Sequence, residues 1–340
     1  MKELEPPNLF TLGLDVGGTK LLGVCLDGEG RVLEEVRLPT TGPAPTGSGN
    51  EVVTVVVEAV ERLTDTLEQG SASVEGVGVG VPGLLQEGRL WFAPNLPSGQ
   101  GVDFRAQLGR ALAACGCAPG AALVVDNDAT CALVGELELG VLAGELDAIL
   151  VTLGTGIGGG ILSGGEVLRG AHGWAGELGH VLVDPSGPMC TCGRRGCWER
   201  YASGSGLGRL AREAALAGRI PGVVAMAGGS PEGVQGEHVT WAAAAGDKGA
   251  KEVLGELAWW IAVGLANFAA ALDPSLIVLG GGLVEAGEHL LEPVRKAFAE
   301  LVPGGLLRSP VRIVAAGLGE RAGAIGAAVE ARSAPGMLVR

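Results

Sequence analysis

Aromatic side chains are scarce in this chain, with one Tyr, five Phe and six Trp among 340 residues. Stacked rings cannot fill a core at that density, so Ala, Val and Leu must, and apolar residues make up 47%. Charge is thin at 18%, and positive charge thinner: 24 Lys and Arg against 38 Asp and Glu leave a formal net charge of −14. The basic residues form no run, so binding driven by the charge of nucleic acid is not expected. Long apolar runs are missing as well. The segment Leu257 to Leu272 falls short of the roughly 20 residues that a membrane span needs and stops at Asp273-Pro274, so it is expected to be a buried helix. The N-terminal MKELEPPNLF has no signal-like apolar stretch, and a cytoplasmic protein without membrane partners is expected.

Two common phosphate-binding patterns are also lacking. No glycine-rich loop ends in Gly-Lys followed by a hydroxyl residue. Gly154-x-Gly156-x-x-Gly159 matches the dinucleotide pattern in form, but the strand-like ILSGGEVL comes after it where a helix should receive a pyrophosphate.

Glycine, by contrast, is abundant at 61 residues. Short apolar blocks over residues 9 to 38, with turn signals at Asp27-Gly28 and Gly30, predict consecutive antiparallel strands. A Pro/Gly-rich loop, the helical EVVTVVVEAVERLTDTLEQ, the strand GVGVGVPG, a helix near Phe104 to Ala114 and the strand ALVVDNDA come next. That alternation predicts an α/β layer. From Ala148 the chain resembles its own beginning: Gly17 falls on Gly154 and Gly23 on Gly160 at a common offset of 137, as two copies of one ancestral unit would. Further helices are expected over 200 to 216 and 241 to 272, separated by a mobile Gly/Pro-rich connector. A strand, a Gly turn, a helix, the strand VRIVAA and a small-residue helix complete the chain.

Three Gly-rich turns come after apolar strands: Asp15-Val16-Gly17-Gly18-Thr19-Lys20, Gly154-Thr155-Gly156 and Gly280-Gly281-Gly282. Such turns let backbone N–H groups approach phosphate oxygens, and together with Asp15 as a Mg2+-associated acid they favour a nucleotide triphosphate site. Asp126-Asn127-Asp128 ends a strand and opens a helical run, so it can cap that helix; beside a phosphate site, Asp128 suits a base that accepts a hydroxyl proton. Seven Cys is an odd number, and three crowd into CTCGRRGC. His180 with Cys190, Cys192 and Cys197 makes a Cys3His set suited to structural zinc, with Glu177 and Glu199 flanking it. Cys115 and Cys117 form an isolated pair without assigned partner. Trp198, inside the zinc segment, is the Trp expected nearest the substrate.

The ordered motifs DVGGTK, GVPG, NDA, LGTGIGGG, ELGH, CTCGRRGCWE and LGGG resemble the ROK family of bacterial repressors and sugar kinases, within the actin/hexokinase-like ATPases, over about residues 10 to 330. GCWERYASG and the connector after it are most similar to the ROK glucokinases. The resemblance implies an α/β protein of two similar ribonuclease H-like domains with a cleft between them. The expected division is 1–126 and 127–321, with zinc-binding segment 180–197 in the second and a C-terminal helix, about 322–335, packing back on the first. The resemblance also implies Asp128 as base toward the sugar 6-hydroxyl, and Gly83, Asn95, Asn127, Glu177, His180 and Glu199 as sugar contacts. Gly17, Gly18, Thr19, Lys20, Thr155, Gly156, Gly281 and Gly282 match phosphate or nucleotide turns. Mg-ATP and glucose are the implied substrates, with structural Zn2+ and a homo-oligomer, dimer or tetramer. Kinases for N-acetylglucosamine, N-acetylmannosamine or fructose share the motif set. A sugar-sensing repressor is not expected, because only 14 residues precede Asp15, too few for a helix-turn-helix. Two departures stand out: PSGQGVDF after Asn95 lacks the Trp often found there, and Asp126 opens a triplet that often begins with Glu.

Overall fold

The β-rich start of the chain folds as the turn chemistry dictates. Strands β1 (Asn8–Val16), β2 (Lys20–Leu26) and β3 (Val32–Pro39) form two antiparallel hairpins. The second turns because Asp27 Oδ1 accepts the N–H groups of Glu29 and Arg31, both at 2.9 Å, the self-capping habit of a short carboxylate. The computed structural model describes residues 8–40, 50–67, 72–93 and 100–334. Asn95 lies outside the described residues.

Contacts along the chain divide it into two units. The first runs to Gly144 and regains Val167–Gly176 and the chain from Gly317; the second comprises Glu145–Glu166 and Glu177–Ala316. In the first unit the hairpins lead to α1 (Asn50–Asp65), β4 (Ala72–Val81), the small hairpin β5 (Leu84–Gln86) and β6 (Arg89–Phe92), α2 (Phe104–Cys115), β7 (Ala122–Asn127) and α3 (Asp128–Leu139). Its main sheet has the order β3-β2-β1-β4-β7, with β1, β4 and β7 parallel.

The second unit repeats this plan. Strands β8 (Ala148–Leu153), β9 (Ile157–Ser163) and β10 (Glu166–Val167) lead to helices α4 (Glu199–Ala202), α5 (Gly204–Leu216), α6 (Pro221–Met226), α7 (Gly236–Ala244) and α8 (Lys248–Leu272). Then come β11 (Leu276–Gly280), α9 (Glu288–Leu301) and β12 (Arg312–Ala315), in a sheet of order β10-β9-β8-β11-β12. The order matches strand for strand, and so does the sense of the antiparallel pairs β1–β2 and β8–β9 and of the parallel runs β1–β4–β7 and β8–β11–β12. The hairpin turn is one residue shorter in the second copy, however: Leu14 pairs with Gly23, but Val151, 137 positions on, pairs with Gly159 and not with Gly160. The repeat expected at Gly160 is therefore shifted by one.

The boundary expected after residue 126 lies instead at Gly144, because α3 packs on β4 and on α10 (Ala322–Ser333), and both helices belong to the first unit. Helix α10 shows where glycine is needed. Gly13 and Gly78 are register partners on β1 and β4, and a Cβ on either would lie 1.9 Å from Ala324 O or 1.8 Å from Ala327 O. Only bare backbone lets the helix sit that low. Ala324, Ile325, Ala328 and Val329 then join Leu22, Val24 and Leu26 in one core.

Helix α8 begins nine residues before the apolar segment and is 25 residues long, enough in length and hydropathy for a membrane span. Leu257, Ile261, Leu265 and Ala269 are nonetheless buried in the second unit's own core. The connector expected to be mobile is ordered, forming α6 and the start of α7 with Val223, Val234 and Val239 buried. Cys115 and Cys117 have a partner after all, each other, in a disulfide at the end of α2.

Candidate functional site

In the first unit the site residues gather where β1, β4 and β7 end. Gly80 of β4 pairs with Asp15 of β1 on one side and with Asp126 of β7 on the other. Beyond Asp15, Gly17 N–H closes the β1–β2 turn on Lys20 O at 2.8 Å, while Gly18, Thr19 and Lys20 are exposed. Lys20 Nζ is paired with Glu320 at 2.8 Å, so this predicted phosphate residue has a carboxylate partner in the same unit.

At the end of β7 the helix cap and the predicted base occupy adjacent positions. Asn127 Oδ1 accepts the N–H groups of Ala129 (2.9 Å) and Thr130 (3.0 Å), a typical N-cap, and its Nδ2 donates to Gly83 O at 3.2 Å. The capping role open to the triplet thus falls to Asn127 and leaves Asp128 as the first residue of α3. Asp128 is half-buried, and burial pushes its carboxyl up, against the opposing pull of the Ala129 N–H. Asp15 is raised to about 7, first by burial and then by the nearby Asp128 charge, with Lys20 pulling the other way. Gly323 on α10 permits that crowding, since a Cβ there would lie 2.6 Å from Asp15 Oδ2. Two carboxylates that resist ionising together make a ready seat for a cation or for a proton in transfer.

The second unit holds the other predicted residues that the structure describes. The β8–β9 turn holds Gly154 to Gly156, and the carbonyls of Gly154 and Thr155 accept the Gly204 (2.7 Å) and Ser205 (3.3 Å) N–H groups from the first turn of α5. Gly281 lies just after β11 with φ 85°, and a Cβ there would lie 2.6 Å from Leu153 O; at Gly282 a Cβ would meet nothing within 4 Å. The first glycine is demanded by the fold. Among the described residues nothing demands the second.

The Cys3His set does converge. One ligand atom from each of His180, Cys190, Cys192 and Cys197 lies within 4.8 Å of the others. Cys192 and Cys197 sulfurs are 3.5 Å apart and Cys190 Sγ is 3.6 Å from His180 Nδ1. A tetrahedral zinc with Zn–S bonds near 2.3 Å needs edges of about 3.8 Å, so the set fits that ion. His180 turns its other nitrogen, Nε2, toward Glu177 at 3.8 Å, while Glu199 is buried and lies 3.7 Å from Nδ1.

A sequence model of the ROK family matches residues 11–334. The chain belongs to the ROK family. Among relatives of this ROK protein, the glucokinase of Streptomyces coelicolor is 38% identical, over 95% of this chain and 98% of its own. The N-acetylmannosamine kinase of Escherichia coli is 32% identical, over 84% and 87%. The crystal structure of a ROK family glucokinase from Streptomyces griseus in complex with glucose and AMPPNP superposes with a TM-score of 0.84 and 37% identity, covering 96% of this chain and all of that one. The fold is the actin/hexokinase-like α/β fold, and each unit carries the same five-stranded plan.

Two features of this ROK protein differ from the sequence reading. Trp198 does not line a site: it is fully buried against Gly264 of α8, edge-on to Phe268, with its indole N–H donating to Trp260 O at 2.7 Å. The other is a bridge that the sequence does not reveal, in which Arg169 links Asp126 to Glu330. No spacing announces it, because Arg169 stands 43 positions from Asp126 and 161 from Glu330.

Proposed function

We propose that this ROK protein is a glucokinase that transfers the γ-phosphoryl group of ATP to the 6-hydroxyl of glucose. The observation that carries the reading is Asp128, the first residue of α3 at the end of β7, a half-buried carboxylate of raised basicity beside the Asn127 cap. As the sugar 6-oxygen forms its bond to the γ-phosphorus and the bond to ADP breaks, Asp128 takes the hydroxyl proton. Asn127 fixes the base and holds the Gly83 carbonyl. Gly83, Asn95, Glu177, His180 and Glu199 bind and orient the sugar, with His180 Nε2 available to a hydroxyl. Amides of the Gly17–Lys20, Thr155–Gly156 and Gly281–Gly282 turns receive the nucleotide, and the open space at Gly282 suits a ligand that approaches backbone.

Magnesium accompanying ATP offsets phosphate charge, and Asp15 is the carboxylate placed to associate with it. Zinc held by His180, Cys190, Cys192 and Cys197 is structural, stapling the segment between Glu177 and Glu199. Such an enzyme works in the cytoplasm, where ATP is made available. Support for the substrate comes from the similarity to glucokinases along nearly the whole chain; the N-acetylmannosamine kinase likeness is the reason to test other hexoses. The experiment is a coupled ADP-release assay over glucose, mannose, fructose, N-acetylglucosamine and N-acetylmannosamine. Glucose is expected to turn over best. Rapid phosphorylation of an N-acylhexosamine with glucose inert would overturn the assignment.

A further inference from the structure

A guanidinium sits behind the turn that carries Asp128. Arg169 belongs to Val167–Gly176, the short stretch that the first unit regains between β10 and Glu177. One of its nitrogens donates to Asp126 Oδ2 and the other to Glu330 Oε1 at 2.5 Å. Asp126 in turn accepts the Asn127 N–H on Oδ1 at 2.7 Å, so the grip passes directly to the residue that caps α3. Glu330, on α10, has a side chain only 9% exposed, and its other oxygen receives the Cys131 thiol at 3.7 Å. Both carboxylates border an open groove of about 700 Å³ along the free edge of β7, with Arg169 in its wall. Two acids held this close repel one another, and a planar guanidinium satisfies both at once from two separate nitrogens held in a fixed fork.

We propose that Arg169 is a positioning residue for phosphoryl transfer: by holding Asp126 it fixes the Asn127-Asp128 turn and so the aim of the catalytic carboxylate. The proposal rests on the glucokinase reading. Its rival is a plain staple, in which Arg169 fastens α10 and the 167–176 stretch without bearing on the base. A staple that is lost lowers the folded fraction; a misaimed base lowers turnover of the folded enzyme.

Kinetics of Arg169→Met, normalised to the folded fraction by circular dichroism, separate the two. Turnover should fall about ten- to a hundredfold with KM for ATP unchanged, since a small misplacement of a reacting group costs that much. Asp126→Asn should match it, and the double variant should fall no further. Glu330→Gln, whose remaining carbonyl oxygen can still accept from Arg169, should retain turnover within about threefold, and Arg169→Lys should recover part of the loss. Guanidinium at millimolar concentration should restore part of the activity of Arg169→Ala through the open groove, where sodium chloride at equal ionic strength does not. Full turnover per folded chain in Arg169→Met, or an equal loss in Glu330→Gln and Asp126→Asn, would overturn the proposal while leaving the function intact. A wild-type chain inert toward glucose would overturn the function and this assignment with it.

Discussion

Asp128 and Asp15 face the same physical problem, a carboxylate removed from water, and carry different proposed roles. Replacing Asp128 with Asn removes the proposed proton acceptor but keeps the shape and the helix start. Turnover is expected to drop about a thousandfold while glucose still binds, measured by steady-state kinetics and calorimetry. Loss of glucose binding together with turnover would remove Asp128 as base. Asp15 carries the pH signature. Its carboxyl is raised from an ordinary 3.8 to about 7, so the native state favours the protonated form. The stabilising contribution is fully present below about pH 4 and is lost as pH rises through 7. Without magnesium, Asp15→Asn should therefore raise thermal stability at pH 8, by up to about 4 kcal/mol, and change little at pH 4. A melting-temperature difference independent of pH would contradict this. At this scale the sequence showed residues that chemistry marks by type: the Cys3His set, the acid after a strand, the glycine turns. Arg169 was hidden because an arginine between two glycine-rich stretches carries no such mark until folding sets Asp126 and Glu330 on either side of it.

Two of the three glycines of helix α8, Gly255 and Gly264, look alike in sequence and should respond oppositely to one added methyl. At Gly264 a Cβ would lie 2.1 Å from the Trp198 ring, which is fully buried and cannot yield. Gly264→Ala should cost about 3 kcal/mol. At the exposed Gly255 nothing lies within 4 Å, and Gly255→Ala should stabilise by about 0.5–1 kcal/mol. Denaturant midpoints check both, and a change of the same sign at the two positions would refute the packing account. Periodicity located nearly every strand and helix, because alternating and 3.6-residue patterns are local. It misjudged the connector that forms α6 and the start of α7 because Val223, Val234 and Val239 are too widely spaced to show a face before tertiary packing buries them. Trp198 was expected nearest the substrate only because it lies inside the Cys-rich segment, and that proximity says nothing about which way a ring points. The segment itself is testable: purified protein should carry one zinc per chain by elemental analysis, and Cys192→Ser should carry close to none. Unchanged metal content would remove the site.

For the molecule as a whole, the doubled plan was visible in the repeated Gly turns, and the resemblance implied a C-terminal helix, about 322–335, that packs back on the first domain. Sequence order alone suggests a single cut, with one domain wholly before it and the other wholly after. Here the first unit takes back its last helix from the far end of the chain. Glycine supplies the reason, because the floor formed by Gly13 and Gly78 is shaped for the backbone of α10 and for no side chain of its own strand. A chain ending after Ala316 should therefore lose more than a peripheral helix. It would uncover Leu22, Val24 and Leu26, and it would lose the burial of Ile325 and Val329, worth about 1.5–3 kcal/mol for each large aliphatic side chain. Hydrogen exchange on that truncated chain should show β1 and β4 amides exchanging at least about a hundredfold faster than in the full chain, with β8 and β11 amides keeping most of their protection. Equal protection of β1 in both chains would mean that the first unit closes its core without α10, and the glycines beneath that helix would then need another explanation.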